Sequence, residues 1–62
     1  MNITDKEKRE IGALVQELDQ SRNKAMHYLQ NGKFQAAGLH FNLEARTSDK
    51  ISELLNDIHK KQ

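Results

Sequence analysis

The amino-acid sequence predicts an all-α protein, an antiparallel two-helix hairpin that a second copy completes into a four-helix bundle. Three observations predict this fold. The 62-residue chain contains no proline and is rich in Ala, Leu, Glu, Gln and Lys, which are strong helix formers. Apolar residues recur three and four positions apart in each half of the chain, as on one face of a helix. Between the halves stands Asn31-Gly32, a pair typical of helix ends. We expect one domain over residues 1–62.

The first helix is expected near residues 4–30. Thr4 and Glu7 in "TDKE" have the spacing of a capping box, in which each side chain accepts a hydrogen bond from the backbone N–H of the other residue. The predicted inward-facing stripe consists of Ile11, Leu14, Leu18, Ser21, Ala25 and Tyr28. This stripe gives the helix one mainly apolar face along most of its length.

The second helix is expected near residues 34–60, after a turn at 31–33. Gly32 is suited to the left-handed conformation that ends many helices. Because the connection is short, the helices should be antiparallel neighbours. The stripe predicted to face the first helix consists of Phe34, Ala37, Phe41, Ser48, Ile51, Leu55 and Ile58. Its large apolar members, with the aliphatic residues of the first stripe, form the expected hairpin core.

A break in the second helix is the alternative arrangement. Glu44 falls where the stripe needs an apolar residue, and "TSDK" at 47–50 holds three residue types that commonly begin helices. A boundary near Thr47 would give three helices. The continuous helix is favoured because the stripe resumes in phase at Ile51.

A second apolar set on the second helix lies outside the predicted stripe. It consists of Ala36, Leu39, Leu43 and Leu54. A hairpin buries one face of each helix, so these side chains remain in water unless another helix covers them. A chain of 62 residues also buries too little surface for a stable core without reinforcement. We therefore expect these four residues to contact a protein partner, most simply a second copy in a homodimer.

Composition argues against several other classes of function. The chain has no cysteine, which removes disulfides and thiol chemistry. Ten basic and nine acidic residues are interspersed and give a net charge of +1, which is a poor footprint for nucleic acid. No stretch has the apolar length of a signal peptide core or a membrane span. The sequence thus predicts a soluble, cytoplasmic protein without a membrane partner.

Candidate chemistry centres on two histidines. His27 lies about one helical turn before the predicted bend and His40 about two turns after it, so antiparallel helices bring them to neighbouring levels. With Glu44 they form a conceivable ligand set for zinc or nickel. The paired motifs of helical metal sites are missing, and the serines lack the strained turn and the base that activate a nucleophile. We expect no metal, no cofactor, no small-molecule substrate and no enzyme activity.

Two resemblances bear on function. The segment "NGKFQAA" resembles the loop of tetratricopeptide-type and related export-chaperone hairpins, where a glycine, an aromatic and a small residue lock two antiparallel helices. The segment "SDKIS" is similar to part of the two-helix aspartyl-phosphate phosphatases of sporulating bacteria, whose second helix carries S-Q-E-L-D. Ser48 and Ile51 match that motif, whereas Ser52 stands at its acidic position. "QELD" occurs at 16–19, in the first helix, after Val15 in place of the serine.

From these observations we expect a small non-enzymatic protein–protein interaction module, of the adaptor, chaperone or inhibitor type, that acts through an apolar helix face. Two alternatives remain open at this point. One is a regulatory effector of the phosphorelay type, which the resemblance to the aspartyl-phosphate phosphatases implies. The other is a protein that binds nucleic acid weakly.

Overall fold

The computed structural model describes residues 3–61 and shows two long α-helices packed side by side. Helix α1 spans Asp5–Gln30 and helix α2 spans Phe34–Lys60. Ion pairs join Arg22 to Glu44 near the turn and Glu7 to Lys61 at the far end, so the helices run antiparallel. The predicted all-α hairpin is therefore confirmed. It is a thin rod, 46 Å long and 17 by 12 Å across.

Helix α1 begins with the predicted capping box. The Thr4 backbone N–H donates to Glu7 Oε1 at 3.0 Å, and the Glu7 backbone N–H donates to Thr4 Oγ1 at 3.1 Å. Two of the N–H groups that a helix N-terminus leaves without partners are satisfied in this way.

Gly32 ends helix α1 in the left-handed conformation, with φ of +72°. The N–H of Lys33 donates to the Tyr28 carbonyl oxygen at 2.8 Å, and the N–H of Gly32 donates to the Leu29 carbonyl oxygen at 3.1 Å. This is the hydrogen-bond pattern of a Schellman motif. Asn31 adds a side-chain hydrogen bond to the His27 carbonyl oxygen. The predicted turn is confirmed, and its shortness holds the helices together as neighbours.

The predicted stripe of helix α1 faces α2. The less exposed residues of this helix alternate strictly four and three apart: Glu7, Ile11, Leu14, Leu18, Ser21, Ala25 and Tyr28. Ala25 is completely buried. A seven-residue repeat of this kind keeps one seam in contact along two packed helices, as in a coiled coil.

The predicted stripe of helix α2 is confirmed at Ala37, Ile51 and Ile58 and wrong at its other four residues. The less exposed residues of α2 that repeat at this spacing are Ala37, His40, Glu44, Thr47, Ile51, Leu54 and Ile58. Phe34, Phe41 and Leu55, which the sequence assigned to the core, are exposed, and 71% of Phe34 is accessible to solvent. Ser48 is exposed as well. Leu54, assigned to a partner surface, is instead a half-buried residue of the seam.

Satisfied polar groups explain this phase. The Tyr28 and His40 rings stack across the helices with centroids 5.3 Å apart, and Arg22 pairs with Glu44. Thr47 Oγ1 donates to the Leu43 carbonyl oxygen at 3.0 Å. Within the described part of the chain, no buried side-chain nitrogen or oxygen lacks a hydrogen-bond partner. The polar seam residues therefore avoid the cost of an unsatisfied buried group.

Helix α2 is continuous through Thr47, so the alternative with a break there is wrong. Thr47 does not act as an N-cap because its hydroxyl bonds back to the carbonyl one turn earlier, an arrangement open to threonine inside a helix.

The capping box makes the stability of α1 depend on pH. Hydrogen bonds from Thr4, from its backbone first and then its side chain, hold the pKa of the Glu7 carboxyl below its ordinary value of 4.5, and the Lys61 ammonium adds to this effect. A lowered carboxyl pKa stabilises the folded state above pH 4.5, and this stabilisation is lost as pH falls through the lowered value. We expect Glu7→Gln to melt below the wild type at neutral pH and to match it in strong acid.

Circular dichroism melts of both proteins between neutral and strongly acidic pH measure this difference. Glu10→Gln is the control, because it removes one negative charge from an exposed position of the same helix. A gap between Glu7→Gln and the wild type that is constant over the whole pH range would contradict the pKa argument.

Candidate interaction surfaces

Large apolar side chains line one side of the hairpin. The inward residues form pairs three positions apart, and in both helices the residue that directly follows the second member of a pair, with the residues seven positions from it, lies beside the seam. Because the helices are antiparallel and both right-handed, these positions fall on the same side of the pair. The exposed apolar residues at such positions are Val15, Leu29, Phe34, Phe41 and Leu55, and we call this set the apolar flank.

Few charges interrupt the apolar flank. The same seven-residue spacing places the polar residues Lys8, Arg22 and Ser48 in line with the members of the flank. The Arg22 guanidinium is turned to the seam, where its Nε and Nη2 atoms donate to Glu44 Oε1 at 3.0 and 2.9 Å. Since this pair neutralises Arg22, Lys8 is the remaining cation at these positions.

The opposite side of the hairpin is mostly charged. Residues that directly precede the first inward residue of each seven-residue repeat lie there, and five of them are Glu10, Glu17, Lys24, Lys50 and Asp57. Ala36 and Leu43 are the apolar residues at equivalent positions of α2. The two sides of the rod therefore differ in chemistry, one apolar along its length and one charged with a short apolar segment near the turn.

The structure brings together three of the four residues predicted to contact a partner. Leu39 and Leu43 are one helical turn apart and exposed by 58% and 37%, and the half-buried Ala36 adjoins them. We call these three residues the Leu39–Leu43 patch. Leu54 lies about three turns further along α2, in the seam, and is not part of it. Binding of a partner at these positions stays a prediction.

The two candidate histidines both contact Tyr28 near the turn. His40 stacks on Tyr28, and His27 meets Tyr28 edge to face with ring centroids 6.0 Å apart. Together with Asn23 and Lys24 they surround a shallow hollow on the charged side. The third predicted ligand, Glu44, is bound to Arg22 instead. In residues 3–61 no group of three or more His, Asp or Glu side chains is arranged to hold a metal ion.

Sequence reasoning missed the apolar flank because it placed the aromatic residues of this set in the core. The signal was nonetheless present. Phe34, Phe41, Ser48 and Leu55 are each seven residues apart, as are Val15, Arg22 and Leu29 on helix α1. A seven-residue repeat directly beside a complete inward stripe indicates a second face of the same helix, not the core itself.

Comparisons of the chain with protein-family models, with curated proteins and with solved structures gave no match. Neither helix in the described range is long and apolar enough to cross a membrane. Fold and surface define the class of protein as a small all-helical antiparallel hairpin with a polar seam and exposed apolar residues along one side.

Proposed function

We propose that this chain is a small non-enzymatic interaction module of the cytoplasm, of the adaptor, chaperone or inhibitor type. It acts through apolar helix surface that the hairpin leaves exposed. A second hairpin packs against the first and completes a four-helix bundle in a homodimer.

The thin core carries this proposal. Among residues 3–61 the buried hydrophobic residues are Ala25, Ala37 and Ile58, and no large side chain is completely buried. The large hydrophobic residues that are exposed in the same range are Val15, Met26, Leu29, Phe34, Leu39, Phe41, Leu43 and Leu55. Folding alone thus leaves about half of the large apolar side chains substantially exposed. Covering them with another helical surface supplies the missing hydrophobic stabilisation.

The polar seam supports the same conclusion. Ser21, His40, Glu44 and Thr47 occupy inward positions where most helical hairpins hold aliphatic residues. Such a seam orients the two helices through the hydrogen-bonded Arg22–Glu44 ion pair and the stacked Tyr28 and His40 rings, but it contributes little hydrophobic free energy. A hairpin built this way is more stable when it is bound than when it is free.

The proposal predicts a dimer whose stability depends on concentration. Light scattering is expected to give the mass of two chains. The midpoint of the helical circular dichroism melt is expected to rise with protein concentration, because dilution favours the separated chains. Both quantities are measured on the same samples over a wide range of concentration.

Two other results would be informative. A weakly helical monomer would show that a different protein completes the bundle, and the homodimer would be wrong. A strongly helical monomer with a melting point independent of concentration would contradict the whole proposal, because such a hairpin needs no partner.

A further inference from the structure

We propose that the occupant of the apolar flank is a second copy of this chain, related by a two-fold axis that lies in the plane of the interface, halfway along the flank and perpendicular to the helices. The turn of one hairpin then lies over the free helix ends of the other. This inference rests on the proposed homodimer and adds to it the face, the orientation and the contacts.

The pattern of inward and flanking residues favours a partner with two helices. Helices of a four-helix bundle bury the two seam positions of each repeat and one position beside them. In this hairpin the third buried position falls on the same side in both helices, at Val15 and Leu29 of α1 and at Phe34, Phe41 and Leu55 of α2. The result is one face, two helices wide, and not a narrow groove for a single helix.

The size of this face suits a stable dimer. A side of the hairpin measures 46 by 17 Å. This is on the order of the roughly 800 Å² that each partner buries in a complex of standard size. A second copy presents a face of the same length and width, so two hairpins cover each other without leaving part of either flank in water.

The sizes of the flank side chains favour the antiparallel orientation. Leu29, Phe34 and Phe41 lie in the half near the turn, and the smaller set of Val15, Ser48 and Leu55 lies in the other half. The proposed axis places the large half of one copy over the small half of the other. Phe41 then lies near the level between Val15 and Leu55 of the second copy, whereas a parallel arrangement brings the phenylalanines of both copies to the same levels and both Ser48 residues to one level, which leaves that level poorly filled.

The charges of the flank favour the same orientation. In a parallel pair, Lys8 would lie at the level of Lys8 of the second copy, and like charges at close range repel. In the antiparallel pair, Lys8 lies over the turn end, at the level of Leu29 and Phe34 of the second copy. The Arg22–Glu44 pair lies near the uncharged Val15 level. The two Lys8 side chains then lie at opposite ends of the dimer.

This dimer leaves the Leu39–Leu43 patch uncovered, because the patch lies away from the apolar flank. Each dimer therefore presents two identical patches on its outer surfaces. A module of this shape holds two copies of another protein at a fixed separation, which is the geometry of an adaptor.

Paired charge substitutions test the face. Phe41→Glu with Leu55→Glu places two carboxylates on each flank and is expected to raise the dimer Kd by roughly 100-fold or more, since the dimer would bury unpaired charges. Leu39→Glu with Leu43→Glu is the matched control with the same change in charge on the same helix, and it should dimerise like the wild type. Sedimentation equilibrium measures both. If only the control variant dimerises more weakly than the wild type, the proposal is wrong and the Leu39–Leu43 patch is the dimer interface.

Cysteine cross-linking tests the face even if the charged variants unfold. The natural chain has no cysteine, so an introduced thiol is unique. Ser48 is exposed near the middle of the flank, close to the proposed axis, and Ser48→Cys is expected to form a disulfide-linked dimer under mild oxidation. Lys50→Cys, at a similar level on the charged side, is expected to stay uncrosslinked. Cross-linking of the Lys50 variant alone, or of neither variant, overturns the proposal.

A spin label at the turn tests the orientation. In the antiparallel dimer, labels on Lys33→Cys of the two copies are separated by close to the hairpin length of 46 Å. In a parallel dimer they are about 20 Å apart, or two helix diameters. Double electron–electron resonance separates the two cases, and the short distance overturns the proposed axis. If light scattering shows that the wild-type chain is a monomer, the proposed homodimer is wrong. If the chain is a dimer but fails the tests above, only the proposed face or orientation is wrong.

Discussion

Replacing Ala25 by leucine is expected to remove most of the stability of the hairpin. Ala25 has no accessible surface, and it lies in the inward stripe of α1 one turn before Tyr28. The turn half of the seam is closely packed because Ala25 and Ala37 are both small and buried. Three additional carbon atoms at position 25 must displace either the stacked Tyr28 and His40 rings or the whole of α2.

Overpacking of this kind typically costs about 1–3 kcal/mol. At its upper end this cost is most of the roughly 3–5 kcal/mol that a single core in a chain of this size supplies, so we expect Ala25→Leu to melt well below the wild type. Thermal and urea melts followed by circular dichroism measure the loss. Ala13→Leu is the matched control, because it makes the same exchange at an exposed position of the same helix. Equal melting of the two variants would mean that the helices do not approach closely at Ala25.

Helix α1 was predictable because local and tertiary signals agree along it. The capping box fixes its start, Gly32 fixes its end, and its inward residues keep one phase from Ile11 to Tyr28. Agreement between cap, pattern and turn leaves little freedom for another arrangement. The ends of α2 were predictable for the same reason, since the short turn leaves few residues between the helices.

The hydrophobic pattern of helix α2 did not predict which of its faces packs against α1. Phe41 and Leu55 are more apolar than His40 and Thr47, so a ranking by hydrophobicity places them inside. The structure places the polar residues inside because α1 supplies partners for them, the Tyr28 ring for His40 and the Arg22 guanidinium for Glu44. These partners lie 12 and 22 residues away along the sequence. A pattern read along one helix does not contain them.

The candidate surface was predictable in part for the same reason. Exposure of Leu39 and Leu43 follows from any phase that buries Ala37, and the structure has both exposed. The observed phase of α2 differs from the predicted one. Leu54, predicted to be on the surface, lies in the seam, and Leu55, predicted to be in the core, is exposed. One error in helix phase therefore exchanged part of the core with part of the surface, while the fold class stayed correct.

The polar seam also explains how a short hairpin keeps one register. Aliphatic side chains pack in several registers with similar energies, whereas an ion pair between the helices is formed in one. The bond between Arg22 and Glu44 thus aligns α1 and α2, and with them the apolar residues of both helices on one side. The polar residues of the seam contribute less hydrophobic free energy than aliphatic residues would. In exchange, they fix the register in which the apolar flank forms on one side.

Replacing Glu44 by leucine is therefore expected to raise the stability of the hairpin. The Glu44 side chain is only 19% exposed, so leucine there buries most of its surface in the seam, next to the inward face of α1. Full burial of a leucine side chain is worth about 1.5–3 kcal/mol. The lost ion pair costs less, because Arg22 is 56% exposed and returns to water. We expect a net gain of about 1–2 kcal/mol, which corresponds to a rise in Tm of roughly 5–15 °C for a domain of this size.

Thermal melts at one fixed concentration measure this gain, and Glu44→Gln separates its two causes. Glutamine removes the charge without adding apolar surface, so this variant should melt at or slightly below the wild type. A Glu44→Leu protein that melts no higher than the wild type would show that the Arg22–Glu44 pair is a net stabiliser of the seam. If the pair instead fixes the register, the label at Lys33→Cys should give a broader distance distribution in the Glu44→Leu background, although the protein is more stable. We therefore expect the Glu44→Leu protein to have a higher Tm and a broader distance distribution than the wild type. The reason is that the ion pair selects one register but buries less apolar surface than leucine would.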